Sequence, residues 1–195
     1  MIVVCDMGPL HYLILVGADD ILPRLFTRVL VPPVVLEEMS RAAAPEPVRR
    51  WASAPPQWLE IKQPYLVEDI PTLGQRGTRG DGDRAVISLA CEEGADIVLM
   101  DDRKARKEAR KRGCEPIWTL EVLDEAAERG FIDDISQKLD DLQHQTTFYV
   151  GDKARIVIED IRRRDSERKR AQEQDRQCPG TDLPAPEPEN EETGE

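Results

Sequence analysis

The sequence is poor in the residue types that build zinc and thiol sites. Its 195 residues include 4 cysteines and 2 histidines, and aromatic residues make up 5%. No CxxC pair occurs, and no histidines stand at ligand spacing, which argues against a zinc centre. Three cysteines, Cys5, Cys91 and Cys114, lie in or beside apolar segments. We therefore expect reduced, buried thiols, as is usual in a cytoplasmic protein.

Long hydrophobic runs are also missing. No apolar stretch approaches the ~20 residues that a membrane-spanning helix needs. The chain opens on a short strand-like run instead of a basic region followed by a long apolar one, so we expect no signal peptide and no membrane partner. A nucleotide-binding P-loop is excluded, because the glycine-rich stretch "GQRGTRGDGDR" has no Gly-Lys-Ser/Thr ending.

Positive charge is scarce overall but concentrated in one place. The net charge of -12 argues against a protein that coats nucleic acid generally. Residues 165–195 contain ten acidic and four basic residues, and their net charge of -6 is half of the total. By contrast, seven of the ten residues 103–112 are basic. This run is either a solvated helix face or a phosphate-binding surface, and the pattern leaves both interpretations open.

Short apolar, β-branched runs alternate with segments of helical periodicity. This alternation predicts an α/β domain with a mainly parallel central sheet. Apolar periodicity stops after Ile161, so we predict a domain over residues 1–164. We predict an acidic, Pro/Glu-rich, disordered tail over residues 165–195, whose first part could instead extend a solvated helix. The predicted strands span 2–6, 28–32, 58–62, 97–100 and 115–118. A loop is expected over 63–82, and its glycine- and arginine-rich part, 74–82, is expected to be mobile.

Acidic residues follow two of the predicted strands directly. Asp6 ends the first strand, and Asp101 and Asp102 end the strand at residues 97–100. Ligands of parallel sheets bind beyond the carboxyl ends of the strands. Asp83, at the start of the preceding helix, and Glu38, one turn into the helix after the second strand, can reach the same edge. We expect four or five carboxylates to share one crevice.

Such a cluster needs protons or a cation. Two neighbouring carboxylates repel by about 4 kcal/mol at an effective dielectric near 20. Oxygen-only ligands suit a hard ion such as Mg²⁺ or Mn²⁺. Asp102 could cap the basic helix while Asp101 binds the metal, or the roles could be reversed. Asp83 could also act only as a helix cap, and helix geometry lets only one of Glu37 and Glu38 face the crevice.

Three segments carry a resemblance to a known family. They are the strand-Asp-x-x-Pro-Leu opening "IVVCDMGPL", the segment "PPVVLEEM", and the strand ending in Asp-Asp-Arg, "IVLMDDR". Together they resemble a PIN domain over residues 2–161, in particular the bacterial and archaeal PIN proteins related to VapC-type toxins. The resemblance implies a three-layer α/β/α fold and a metal-dependent ribonuclease.

The resemblance also implies which residues carry the chemistry. The catalytic acids of the family fall on Asp6, Glu38, Asp83 and Asp101. The predicted metal ligands are Asp6, Asp83, Asp101 and Asp102, which would bind Mg²⁺ or Mn²⁺. A bound ion would activate a water for attack on the scissile phosphate and stabilise the leaving oxygen. Candidates to contact the RNA backbone, chosen by placement alone, are Arg84, Arg103, Lys104 and Arg106.

Two functions of different classes follow. The first is an endoribonuclease that acts as the toxin of a toxin–antitoxin pair, with RNA, a cognate antitoxin protein and a second copy of the chain as partners. The alternative is a PIN-fold module that binds RNA or protein without useful catalysis. Met7 and Gly8, where relatives often carry a small hydroxyl residue, and the long tail favour this alternative. Metal binding without cleavage would distinguish it.

Overall fold

A sheet of short parallel strands organises the molecule. The computed structural model describes residues 1–74 and 80–177. Within these residues the sheet has five strands, all paired in parallel, in the order β3-β2-β1-β4-β5. The strands are β1 (Ile2–Cys5), β2 (Arg28–Val31), β3 (Leu59–Ile61), β4 (Ile97–Leu99) and β5 (Glu115–Ile117). The predicted α/β fold with a parallel sheet is confirmed.

Helices flank the sheet and complete three layers, α/β/α. Their bounds are α1 (Met7–Leu15), α2 (Leu22–Leu25), α3 (Pro33–Met39), α4 (Glu46–Ser53), α5 (Asp81–Glu93), α6 (Arg103–Lys111), α7 (Thr119–Glu128), α8 (Ile135–His144) and α9 (Asp152–Gln177). In the described part of the chain, none of them combines the length and the apolar character needed to cross a membrane.

The central strands are apolar because both of their faces are covered. Val3, Val4, Leu30 and Val98 are all completely buried. Strands that are covered on both faces have continuous hydrophobic sequences, and the central strands of this chain have this pattern. Helix α5 packs against β1 and β4, and the apolar face of this helix is equally buried. The core therefore fixes α5 next to the two central strands.

The strand order reverses direction between β1 and β4. The chain runs from β1 outward through β2 to β3, and later from β4 outward to β5. Cys5 pairs with Leu99 in the register of these two strands. The next residue, Asp6, donates its backbone N–H to the carbonyl of Leu99 at 2.9 Å. This is the topological switch point, where open α/β sheets leave a crevice for ligands.

The last helix follows the alternative that the sequence left open, an extension into the predicted tail. Helix α9 crosses the predicted boundary at residues 164 and 165 and continues to Gln177. Its buried positions include Ile158, Ile161 and Asp165, and Asp165 lies 3.0 Å from Lys169 Nζ. Residues 165–177 are thus helical, so of the two alternatives for this part of the tail the structure has the helical extension. The rest of the predicted tail, and residues 75–79 of the predicted mobile loop, lie outside the described residues.

The thiols within the described residues are free. Cys5 and Cys114 are buried, as predicted, but Cys91 is exposed, so the expectation of burial was wrong for this residue. Cys91 belongs to the last turn of α5, where the helix leaves the core. Its Sγ lies 3.7 Å from Cys114 Sγ, which is well beyond the S–S bond length of about 2.05 Å.

Candidate functional site

A large crevice opens at the switch point of the sheet. Its volume is about 1000 Å³, and the predicted acidic residues all line it: Asp6, Glu38, Asp83, Asp101 and Asp102. Asp6 follows the carboxyl end of β1, and Asp101 and Asp102 follow that of β4. Helix α5 carries Asp83, and helix α3 carries Glu38. The parallel sheet thereby brings together residues that are up to 96 positions apart in the chain.

Asp6 and Asp101 approach each other beside Gly8. A Cβ atom placed on Gly8 would lie 3.8 Å from Asp6 Oδ2 and 3.6 Å from Asp101 Oδ2. Both carboxylates therefore approach the same small volume. Residue 8 has no side chain of its own, so this volume remains open to the crevice.

Thr119 holds Asp101 in place. Its backbone N–H donates to Asp101 Oδ1 at 2.9 Å, and its hydroxyl donates to Oδ2 at 2.7 Å. The N-cap of α7 is Trp118, and Glu121 accepts the backbone N–H of Trp118 at 3.0 Å. The Thr119 hydroxyl is directed to the acidic crevice instead of to the helix end.

The two aspartates that end β4 have different roles. Asp102 is the N-cap of α6, and its Oδ1 accepts the N–H groups of Lys104 at 2.7 Å and Ala105 at 2.9 Å. Asp101 is partly buried, whereas Asp102 is exposed, so Asp101 lies deeper in the crevice. Of the two alternatives that the sequence left open, this geometry favours Asp102 as the helix cap and Asp101 as the inner acid. Asp102 still lines the crevice.

Glu38 lies against the backbone of α5. A Cβ atom on Gly82 would lie 2.9 Å from Glu38 Oε2, so only glycine leaves room for this carboxylate. Its neighbour Glu37 is exposed and absent from the crevice lining. Helix α5 begins at Asp81 with Gly80 as its N-cap, so neither Asp81 nor Asp83 caps the helix. Asp83 is free to direct its charge toward the crevice.

Burial and mutual repulsion raise the pKa values of these acids. Burial, followed by the charges of Glu38 and Asp101, raises the pKa of Asp6 to about 7, although the N–H groups of Met7 and Gly8 oppose the shift. Burial, followed by the charge of Asp6, raises the pKa of Asp83 to about 8. Burial also raises the pKa of Asp101, against the hydrogen bonds from Thr119. Near neutral pH, the cluster therefore retains protons unless a cation compensates its charge.

The donor set fits a hydrated hard cation. In residues 1–74 and 80–177, no three His, Cys, Asp or Glu side chains form a ready-made ligand cage. Magnesium does not need one, because it usually keeps several waters and takes one or two carboxylates from the protein. Asp6 and Asp101, which converge beside Gly8, supply such a pair, and burial raises the pKa of both carboxyl groups.

The four predicted RNA-contacting cations fall into two groups. Arg103 and Lys104 are exposed, and Arg103 and Arg106 line the crevice. Arg84 does not belong with them. Its side chain is completely buried, its Nη1 donates to Asp81 Oδ1 at 2.8 Å, and its Nη2 donates to the carbonyl of Gly74. The prediction for Arg84 was wrong, because the helical period directs this residue into the protein interior.

Sequence reasoning missed the aromatic part of the lining. The crevice is also lined by Tyr12, Trp118, Phe148 and Tyr149. Residues 148 and 149 belong to the connection between α8 and α9, which carries no periodic pattern. In a chain with so few aromatic residues, two adjacent ones in a loop were the available signal.

These features define an α/β domain with an acidic, cation-attracting crevice at its switch point. A family model described as a PIN domain matches residues 2–164. The match covers most of the chain, and the protein therefore belongs to the PIN-domain family. PIN domains are generally nucleases that use divalent metal ions. A search of curated proteins found no match to this chain.

Proposed function

We propose that the protein is a Mg²⁺- or Mn²⁺-dependent endoribonuclease that hydrolyses phosphodiester bonds of RNA in the acidic crevice. The observation that carries this proposal is the convergence of Asp6, Asp83 and Asp101, with raised pKa values, at the switch point of a PIN-domain fold. Acids that repel one another without a counter-charge are arranged to receive one. The membership of the family makes the hydrolysis of nucleic acid the expected use of such a site.

The side chains of the crevice have different proposed roles. Asp6 and Asp101 would hold the ion, with Asp83, Glu38 and Asp102 beside them. When bound, a divalent ion supplies an acidified water and neutralises charge on the leaving oxygen. Thr119 fixes the orientation of Asp101 through two hydrogen bonds. Such supporting contacts keep a ligand carboxylate in one rotamer before the ion arrives.

The cations of α6 support an RNA substrate. Lys111 and Arg112, at the end of the helix, pair with Glu108 at 2.7 and 3.0 Å. The other five cations of this run have no ion-pair partner within the described residues; they are Arg103, Lys104, Arg106, Lys107 and Arg110. Two of them, Arg103 and Arg106, line the acidic crevice. Cations that line the crevice without an ion-pair partner favour a phosphate-binding surface over a merely solvated helix face.

The proposed ribonuclease also has a proposed biological role. The sequence motifs resemble those of VapC-type toxins, so we propose the toxin of a toxin–antitoxin pair, acting in the cytoplasm, with a cognate antitoxin and a second copy of the chain as partners. One observation favours the alternative, a PIN-fold binding module. Met7 stands where relatives often carry a hydroxyl residue, so Asp6 is not oriented by a side-chain hydroxyl from that position.

Cleavage of a mixed RNA pool tests the function. The purified protein is expected to cut RNA with Mg²⁺ or Mn²⁺ and to stop when EDTA is added. The double variant Asp6→Asn/Asp101→Asn, purified in parallel, is expected to leave the RNA intact while it remains folded by circular dichroism. If neither protein cuts RNA, the binding module becomes the better description. If both cut equally, the activity does not belong to this crevice.

A single methyl group on α5 is expected to disturb Glu38 without unfolding the protein. In Gly82→Ala the new Cβ would lie 2.9 Å from Glu38 Oε2, the end of a flexible side chain that can turn away. We expect divalent-ion affinity, measured by titration calorimetry, to fall about tenfold. The melting temperature should not fall, because alanine favours a helix over glycine by about 0.5–1 kcal/mol.

Glu37→Gln is the matched control for this variant. Glu37 is next to Glu38 in the chain, but it is exposed and does not line the crevice. We expect much less loss of ion affinity than in Gly82→Ala. Equal losses in the two variants would mean that the position of Glu38 does not matter for the ion.

A further inference from the structure

One part of the crevice lining is aromatic and cationic instead of acidic. Tyr149 exposes 85% of its surface, and its ring rests on the backbone of Gly151, where a Cβ atom would lie 2.8 Å from ring Cε1. The preceding residue, Phe148, is buried and packs edge-to-face on Tyr12, with ring centroids 5.1 Å apart. The loop is anchored by Phe148, and it presents the Tyr149 ring to the crevice.

Two unpaired cations lie in the same lining. The Arg106 guanidinium lies 5.1 Å from the centre of the Trp118 ring, and Lys153 Nζ lies 5.9 Å from the same centre. Neither cation has an ion-pair partner among the described residues. Arg106 is only 8% exposed, and its Nε, buried from solvent, has no hydrogen-bond partner in residues 1–74 and 80–177.

A buried arginine nitrogen without an acceptor, like the Nε of Arg106, is unusual, since buried polar groups are nearly always hydrogen-bonded. The planar guanidinium fits phosphate and carboxylate oxygens. Arg106 lines the crevice, so an anionic oxygen of a ligand can reach it from there. Trp118 limits the motion of the guanidinium and leaves its donors available.

We propose that Arg106, Trp118, Tyr149 and Lys153 form a nucleotide subsite in which Tyr149 stacks on an unpaired base and the two cations bind its phosphate. This inference rests on the proposed function and specifies how the crevice positions its substrate. A base in a duplex has both faces covered by its neighbours, so the subsite requires a flipped or single-stranded nucleotide. An apolar protein partner would cover Tyr149 but leave the Arg106 Nε without an acceptor and Lys153 without an ion-pair partner.

Binding of a labelled single-stranded oligoribonucleotide tests the subsite. Fluorescence anisotropy in Ca²⁺ measures affinity while avoiding the ions proposed for cleavage. Tyr149→Ala is expected to weaken binding by about 5- to 150-fold, the range observed for the loss of one base–aromatic stack. Tyr149→Phe, which keeps the ring, should bind within about twofold of the original protein. The matched control is Tyr65→Ala, because Tyr65 is 98% exposed and does not line the crevice.

An abasic scan identifies the stacked base. A single abasic nucleotide is placed at successive positions of the oligonucleotide. At one position, the abasic nucleotide should weaken binding to the original protein by the same factor as the Tyr149→Ala substitution does. At that position, the abasic nucleotide should not weaken binding to Tyr149→Ala any further. Arg106→Met is expected to reduce the slope of log affinity against log salt by about 0.7, the value for one phosphate contact on a single strand. Arg106→Lys, which keeps the charge, should retain most of the slope.

Several outcomes would overturn the subsite. One is that Tyr149→Ala and Tyr65→Ala bind the oligonucleotide with equal affinity, and another is that the original protein does not bind single strands at all. A third is an abasic scan in which Tyr149→Ala weakens binding equally at every position. A fourth is a change of oligomeric state in Tyr149→Ala. Binding and cleavage are measured separately, so the two proposals can fail separately. RNA cleavage that does not depend on Tyr149 contradicts the subsite alone, and Tyr149-dependent binding without cleavage contradicts the nuclease alone.

Discussion

Replacing Asp6 with asparagine is expected to raise the free energy of unfolding of the metal-free protein by about 2–4 kcal/mol at pH 8, and to abolish cleavage. Burial and the charges of Glu38 and Asp101 raise the pKa of Asp6 from 3.8 to about 7. At pH 8 the folded protein must therefore carry an ionised Asp6 in unfavourable surroundings. Asparagine removes that charge and keeps the shape, but it gives the ion a weaker ligand.

The free energy of unfolding that Asp6→Asn adds should increase as the pH rises. In the unfolded chain these aspartates lose their protons near their usual pKa of 3.8, whereas in the folded protein Asp6 and Asp83 retain them up to about 7 and about 8. Between these limits the unfolded state binds fewer protons, so the free energy of unfolding falls as pH rises from about 4 to 8. The advantage of Asp6→Asn should accordingly be larger at pH 8 than at pH 5.

Thermal and urea unfolding in EDTA at the two pH values measure this effect. For a chain of this size, the expected gain corresponds to roughly 5 °C or more in melting temperature. Mg²⁺ should stabilise the original protein more than the variant. Asp20→Asn is the control, because Asp20 is exposed and does not line the crevice. A fall in melting temperature for Asp6→Asn in EDTA at pH 8 would show that this carboxylate is not under repulsion.

Replacing Thr119 with valine is expected to reduce RNA cleavage or divalent-ion affinity by about 10- to 100-fold. Valine has nearly the same shape as threonine but no hydroxyl, so Asp101 Oδ2 loses the donor at 2.7 Å and keeps only the backbone N–H on Oδ1. The hydroxyl lowers the pKa of Asp101. Without it the pKa should rise, and the carboxylate would need a higher pH to ionise.

A pH profile distinguishes this effect from a simple loss of stability. The acidic limb of the cleavage rate against pH should move to higher pH in Thr119→Val, and excess Mn²⁺ should restore part of the rate. Thr119→Ser keeps the hydroxyl and should follow the original protein in both respects. A reduced rate with an unchanged acidic limb would indicate that Thr119 serves only the packing of α7, because this residue is completely buried in any case.

The position of the acids was predictable from the sequence because it depends on strand ends. Asp6 and Asp101 each follow a continuous apolar run, and parallel strands bring their carboxyl ends to one edge. The same rule placed Asp83 and Glu38 within reach. It did not distinguish Asp101 from Asp102, because adjacent residues at a strand end have the same pattern. That distinction depends on which carboxylate meets Thr119 and which caps α6.

Arg84 and Arg106 illustrate the limit of charge patterns. Both are arginines beside predicted acids, and both were assigned to the RNA surface. The structure buries Arg84 against Asp81 and the Gly74 carbonyl, but it directs Arg106 over Trp118 toward the crevice. The identity of a side chain gives its charge, whereas its access to a ligand depends on the segments that pack over it.

The sequence by itself determined the parallel α/β class, the edge of the sheet at which the acids gather and the oxygen-rich character of the site. These properties follow from local periodicity and from chain direction, which neighbouring residues encode. Only the tertiary structure decided that Thr119 supports Asp101, that Gly82 makes room for Glu38 and that Tyr149 and Arg106 line one crevice. Those contacts join residues far apart in the chain, and they depend on packing distances that no local pattern records.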